Sequence, residues 1–349
     1  MAINYTGGTQ NQTELAKIQE EIYAESFTIR DGLVNVEEGH KSGADVYESS
    51  VDVSASASST GAVTATGDID LNANRTAVTL TQFEYKDTID DAALRGTRFE
   101  RSIARGAFEH VSDEFDQRVL VQVAPAIGED VENLIWDGAT SATKTAIAAL
   151  TPGAAQGSIS AGAQTLVAAM TTKLVDSLPT VILYNASNAK ATPGAGLGDY
   201  IKVPSIATIT SASIAAEYGK MYAIAPSKAV NYNRDGEQCE IFAPLSHRQL
   251  IKQANNAVGA AQQINFLVEG SGENEVISYN GHKINFVPMV GFMIFAVPSY
   301  LHVLMDLESD MSSLKIDQMA NGAEQRYIKN KQNMACWVTG QKYITLYGG

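Results

Sequence analysis

The 349-residue sequence holds two cysteines and five histidines, and neither set is arranged for chemistry. Cys239 and Cys336 lie far apart, each in an apolar, strand-like run, which predicts buried small hydrophobes rather than a redox or metal pair. His40, His110, His247, His282 and His302 stand singly, with no HExxH and no paired ligand spacing. No run approaches the roughly 18 apolar residues that a membrane helix needs. Met1-Ala2-Ile3-Asn4-Tyr5 shows no basic region leading into an apolar one. These absences predict a soluble chain, made and used without export and free of any membrane.

Basic side chains are also scarce. Lys and Arg number 25 against 39 Asp and Glu, a formal net charge of -14. Phosphate binding draws on Lys and Arg, so tight direct binding of nucleic acid is not expected. An acidic wall past which DNA slides is compatible with this balance. Nucleotide and hydrolase signatures are missing too: there is no GxxxxGK[ST] and no GxSxG. Gly194-Ala195-Gly196-Leu197-Gly198 follows Pro193 and lacks the third-glycine spacing of a dinucleotide loop. The carboxylate pairs Asp90-Asp91 and Glu129-Asp130 read as solvated. No catalytic, cofactor-binding or metal-binding residue is nominated, which favours a structural role over an enzyme.

What is present is an unusual order of elements. Leu15, Ile18 and Ile22 recur at helical spacing within residues 13–26, behind about a dozen polar residues. An arm that docks on something and an ordinary surface helix both fit that pattern. Residues 34–53 then alternate in patches and run into a Ser/Ala/Thr/Gly-rich stretch, after which Asp68-Ile69-Asp70-Leu71 resumes the two-residue period. So few large apolar side chains cannot make much core. A disordered linker and a long β-hairpin lying on a neighbouring subunit both fit, and the strand period on both sides of the glycines favours the hairpin.

Ala77 to Thr81 reads as a strand, and polar helical segments are expected from there to Glu109. The clearest element is a helix from Ser112 or Asp113 to Trp136. Phe115, Val119, Val123, Ile127, Val131 and Ile135 recur at steps of four along it. Pro125 is expected to bend it and Gly138 to supply a left-handed stop. A second helix is expected over residues 161–178, stopped by Pro179, with Val181-Ile182-Leu183-Tyr184 as a buried strand. Further strands are expected at 221–225, 239–243, 264–269, 283–287 and 292–297, a helix at 244–256, and closing strands from Leu314 to Tyr347. The class is α+β with mostly antiparallel pairing.

This order resembles the major capsid proteins of tailed bacteriophages, the fold named after phage Hong Kong ninety-seven and shared with encapsulin shells. Glu132-Asn133-Leu134-Ile135-Trp136-Asp137-Gly138 is similar to the W-(N/D)-G helix ending common in such proteins. Tyr279-Asn280-Gly281-His282-Lys283-Ile284, leading through Pro288 to Met305-Asp306-Leu307, resembles their Y-x-G-x-x-I strand pair. Residues 329–334 and 339–347 resemble their long closing strands.

The resemblance implies an N-terminal arm (1–33), an extended β-hairpin loop (34–79), a peripheral domain with a spine helix (80–179 and 309–349) and an axial domain (180–308). Lys41, Asp45, Tyr47, Asp52, Asp68 and Asp70 would be the loop's contacts between subunits. The residues from Phe115 to Ile135, with Trp136, would pack the spine helix. Lys41, the lone lysine between Lys17 and Lys86, is the one loop candidate for the covalent cross-link that some members form.

The partners implied are copies of itself in pentamers and hexamers, a separate scaffolding protein, a portal, decoration proteins and packaged DNA held without sequence-specific binding. The place implied is the virion, assembled in the host cytoplasm. An encapsulin-type shell is the alternative, ahead of another virion protein such as a tail tube, which would lack the long helix.

Overall fold

The computed structural model describes residues 26–40, 42–53, 69–90, 113–151, 159–187, 209–234, 236–258, 266–270, 275–306, 315–318, 325–340 and 343–348. The helix expected over 13–26 lies outside these residues apart from Ser26, as do Lys41, Asp68, the glycine loop at 191–198 and the helical segments expected after 90.

Strands β1 (Asn35–Glu37), β2 (Gly43–Val53), β3 (Ile69–Thr79) and β4 (Thr81–Asp90) come first, after a single helical turn, α1 (Phe27–Arg30). Helix α2 (Asp113–Trp136) follows, running through Pro125. Three helices succeed it: α3 (Ser141–Ala148), α4 (Ala161–Ala169) and α5 (Leu178–Ser187). The Thr140 hydroxyl caps α3 by accepting from Thr143 N at 3.2 Å, and Ser160 caps α4 from Ala163 N at 3.0 Å. Helices α6 (Ile214–Ile224) and α7 (Leu245–Val258) flank β5 (Asn233–Arg234), β6 (Glu237–Gln238) and β7 (Glu240–Pro244). The remaining strands are β8 (Phe266–Glu269), β9 (Val276–Tyr279), β10 (His282–Val287), β11 (Phe292–Ala296), β12 (Leu301–Met305), β13 (Lys315–Gln318), β14 (Gln325–Val338) and β15 (Thr345–Gly348).

Two sheets organise the molecule. A five-stranded sheet runs β1-β12-β14-β13, with β4 also paired to β14 in antiparallel register from Thr81↔Met334 to Asp90↔Gln325. A six-stranded sheet runs β15-β11-β7-β10-β9-β8, antiparallel except where β7 meets β10. β9 and β10 are joined through Asn280-Gly281, both at positive φ (49° and 86°), and Tyr279 pairs with His282. That is the Asn-Gly hairpin whose twist matches its strands.

The six-stranded sheet lies between two cores. Phe292, Ile294 and Ala296 face the first, with α2, α4 and α5; Met293, Phe295 and Val297 face the second, with α6 and α7. Successive side chains of a strand point to opposite faces, so β11 reads as an unbroken apolar run because both of its faces are covered. Both cysteines are buried, one in each core.

Several local expectations are corrected. Residues 181–184 belong to helix α5, not to a strand. Pro179 sits in its first turn, where a missing N–H costs nothing, and does not end a preceding helix. The Gly138 carbonyl holds that turn by accepting from Ser177 N (3.1 Å), Ser177 Oγ (2.7 Å) and Thr180 Oγ1 (2.9 Å). The helix before it ends at Ala169, well short of 178. Residues 221–224 close helix α6 rather than opening a strand, because Ile214, Tyr218 and Met221 make its buried stripe. Thr81–Asp90 is a strand, where helix was expected. Gly138 is no left-handed stop: at φ 158° its backbone is extended. Its need for glycine is steric, since a Cβ there would lie 2.7 Å from Lys173 Cγ.

Candidate assembly surface

The first candidate surface is the hairpin β2–β3. Its eleven register pairs run from Gly43↔Thr79 to Val53↔Ile69, and among the described residues its two strands pair only with each other. At about 3.4 Å per residue the ladder is roughly 35 Å long. The base is anchored: Ala44, Val46, Val78 and Leu80 bury themselves against Leu304 of β12 and Ala335 of β14, with Trp337 alongside. Beyond Val46 no described residue of the hairpin belongs to a core cluster.

Of the loop residues nominated from sequence, Asp45 is exposed and accepts from Arg75 Nη2 at 2.6 Å, an ion pair across the hairpin. Arg75 was not nominated; its signal was its register, opposite Tyr47 and one step from Asp45. Tyr47 is 70% exposed, unusual for an aromatic side chain. Asp52 and Asp70 occupy directly opposite register positions. Lys41 and Asp68 lie outside the described residues.

The second surface holds the arm and the helix together. Along α2, Val123 packs at the margin of the first core, and Ile127, Val131, Ile135 and Trp136 are buried in it. Phe115 and Val119 lie on the same helix, eight and four residues ahead of Val123. Trp136 stacks on Phe242 at 5.3 Å between ring centroids and 25° between planes. Its Nε1 donates to Thr28 Oγ1 at 2.6 Å.

Thr28 in turn donates its hydroxyl to Glu132, whose other oxygen accepts from Ser26 Oγ (2.8 Å) and Thr28 N (3.2 Å). The carboxylate is 3% exposed, and burial pushes its pKa above the ordinary range against the pull of these hydrogen bonds. Glu132 thus fastens residues 26–33 to the long helix; in sequence it was noted only within the helix ending Glu132 to Gly138, with no role of its own. From the same helix Asp130 accepts from Tyr85 Oη of β4 at 2.7 Å and from Lys173 Nζ at 2.6 Å.

A third polar cluster locks β1, the strand that leads into the hairpin, to the edge of β12. His302 Nδ1 lies 2.8 Å from Glu37 Oε1, and its Nε2 lies 2.7 Å from Thr339 Oγ1. Burial lowers the His302 pKa, with Glu37 opposing. Among the described residues, no three metal-ligating side chains converge, and no helix is long and apolar enough to cross a membrane.

An isolated hairpin, a long helix tied to an N-terminal segment, a five-stranded sheet and a second core on a shared sheet form an assembly seen before. A chain of the satellite phage P4 procapsid superposes with a TM-score of 0.52 over 97% of this chain and 90% of its own, at 12% identity. This chain has the phage capsid fold. Structures with lower scores include the capsid of a native GTA particle (TM-score 0.49, 12% identity, 93% of this chain and 89% of that one). Another is the cyanophage A-1(L) capsid (TM-score 0.49, 11% identity, 91% of each chain). No protein-family model matches the sequence, and no curated protein sequence does.

Proposed function

We propose that this chain is the major subunit of an icosahedral shell of the tailed-phage type. On this reading it assembles with copies of itself into rings of five and six that close around double-stranded DNA. The observation that carries the reading is the hairpin β2–β3, a roughly 35 Å ladder whose described core contacts lie at its base, on a fold shared with a procapsid protein across nearly the whole chain. Such an arm gains stability through contacts with other copies. Identical subunits meeting through unlike surfaces close into rings when the rotation allows.

The other parts take matching roles. Residues 34–79 form the extended loop, 80–179 and 309–349 the peripheral part with α2 as its spine, and 180–308 the axial part. Helix α5 and strand β15 tie the two parts together, one packed in the first core and the other paired with β11. The subunit is structural and catalyses nothing. With a net charge of -14 it encloses DNA without reading its sequence. A scaffolding protein, a portal and decoration proteins are its companions, and the virion is its place.

Negative-stain electron microscopy of the expressed protein, alone and with the products of neighbouring genes, tests the proposal. Closed shells, tubes or rings of five and six are expected. A uniform monomer or dimer in both preparations would overturn it.

A further inference from the structure

The hairpin stands on two legs that are held unequally. Its second leg runs on through Leu80 into β4, which ten register pairs bind to β14. Its first leg is reached from β1, an edge strand with three parallel pairs to β12, from Asn35↔His302 to Glu37↔Leu304. Between β1 and β2 the backbone is held by Gly39 N, which donates to Asp306 O at 2.6 Å, and by His40 N, which donates to Met305 O at 3.2 Å. Short edge segments with so few bonds open at the least cost.

One side-chain group ties this strap down. His302 lies on the face of β12 that carries the hairpin base, two residues before Leu304 and in register with Trp337. Its side chain is 10% exposed. Glu37 Oε1 lies 2.8 Å from its Nδ1 and also accepts from Asn35 Nδ2 at 3.4 Å. An ionised carboxylate only accepts, so Nδ1 carries the proton of the neutral ring, and Nε2 accepts from the Thr339 hydroxyl at 2.7 Å. The ring thus joins three segments: β1, β12 and the chain leaving β14 at Thr339. A second proton would go to Nε2. The Thr339 hydroxyl would then have to turn from donor to acceptor, with a cation in a nearly closed site.

The charges around the ring decide the sign. Among the described residues, Glu37 is the one charged group that β1 turns toward it, and at 37% exposure water screens that carboxylate. His40 Nε2, on the linker to the hairpin, lies 3.8 Å from Glu37 Oε2, beyond hydrogen-bond reach. From the β14 side come Trp337 and Thr339, and from the hairpin base Ala44, Val46, Val78 and Leu80, none of them charged. Farther along β12, Asp306 is engaged by Asn333 Nδ2 at 2.9 Å. Burial therefore outweighs the one carboxylate and lowers the His302 pKa below the ordinary 6.5. With the folded value under the unfolded one, the neutral ring's contribution is complete above 6.5 and is lost as pH falls toward the lowered value.

We propose that Glu37, His302 and Thr339 form a proton-operated joint, which holds the hairpin's first leg on the sheet at neutral pH and loosens it in mild acid while both cores stay closed. The joint is a property of the single chain; its bearing on assembly rests on the shell reading.

Hydrogen exchange of the full chain, corrected for the intrinsic pH dependence of exchange, tests it at about one pH unit above and about one below 6.5. Protection over residues 35–40 should fall several-fold in acid, with about tenfold as the ceiling for one imidazole, while β11 keeps its protection. His302→Gln, whose amide can donate to Glu37 but takes up no proton, should abolish the fall. Glu37→Gln keeps an acceptor and removes the charge that favours the second proton, so there the fall should deepen. His40→Gln should leave it unchanged.

Equal acid losses in the native chain and His302→Gln would overturn the joint, and so would a loss that vanishes with His40→Gln alone. If His302→Gln does not fold, Glu37→Gln decides, and a fall that shrinks or stays the same there refutes the proposal. Particle formation is read separately by electron microscopy. Without particles from the native chain and its neighbours at either pH the shell reading fails, while the exchange result still decides the joint.

Discussion

A buried carboxylate that accepts three hydrogen bonds from one short segment acts as a clamp, and Glu132 is that residue here. Ser26 and Thr28 spend their hydroxyl protons on it, and Thr28 Oγ1 still has a lone pair for the Trp136 indole. Replacing Glu132 with alanine leaves two buried hydroxyls and an amide without their acceptor. The expected cost is about 1–3 kcal/mol of stability, with the segment from Ser26 to Leu33 losing hydrogen-exchange protection first. The pH dependence has a definite sign. Burial raises the folded-state pKa above the ordinary 4.5, so this group's contribution is full below that value and falls as pH rises through the raised one. The stability gap between the native chain and Glu132→Ala should therefore narrow as pH climbs from 4.5. A gap that is constant or widens would show that the carboxylate is held by its hydrogen bonds as an anion.

At the scale of elements, the hairpin can be removed without touching the cores. Val46 and Thr76 are direct partners just above the buried base, the same relation that Tyr279 and His282 bear to Asn280-Gly281. Replacing residues 47–75 with Asn-Gly should close the ladder at its base with the chain's own turn chemistry. The product should melt cooperatively and remain unassembled; shells formed by this variant would remove the hairpin from the assembly mechanism. This element was legible in part, because patches of two-residue period flank a small-residue stretch on both sides, although a disordered linker fitted the same residues. The long helix was legible because Val123, Ile127, Val131 and Ile135 repeat its period through Pro125. Helices α5 and α6 were not. Val181-Ile182-Leu183 is a short apolar run whose period cannot separate a buried helix from a buried strand, and only the bonds to Gly138 decide it. Strand β4 was misread because charged residues alternate on its outer face, Glu84 and Lys86, while Phe83 and Tyr85 turn inward. On the candidate surface, Asp45 and Tyr47 were nominated from sequence as subunit contacts, whereas Arg75 and Glu132 were not. Their roles come from partners that lie 30 to 106 residues away along the chain, or on a neighbouring strand.

For the whole molecule, the decisive feature is that two cores share one sheet. Strand β11 sends Ile294 into the first core and Phe295 into the second, so neither can melt without exposing the back of the other. Both tryptophans of the chain, Trp136 and Trp337, lie in or against the cores on the hairpin and spine-helix side, and none reports the second core directly. Truncating Phe295 to alanine removes a fully buried ring on the second side, at a cost of about 3–5 kcal/mol. If the sheet couples the cores, tryptophan fluorescence and far-UV circular dichroism should shift their denaturation midpoints together, in one transition. A fluorescence midpoint left in place while the circular dichroism midpoint falls would mean that the second core unfolds alone. The molecule would then be two tethered units, each meeting its neighbours independently. A coupled pair instead transmits strain from a contact at α6 or α7 through β11 to the spine helix. On the proposed shell role, a subunit that holds one shape against neighbours on several sides requires that rigidity.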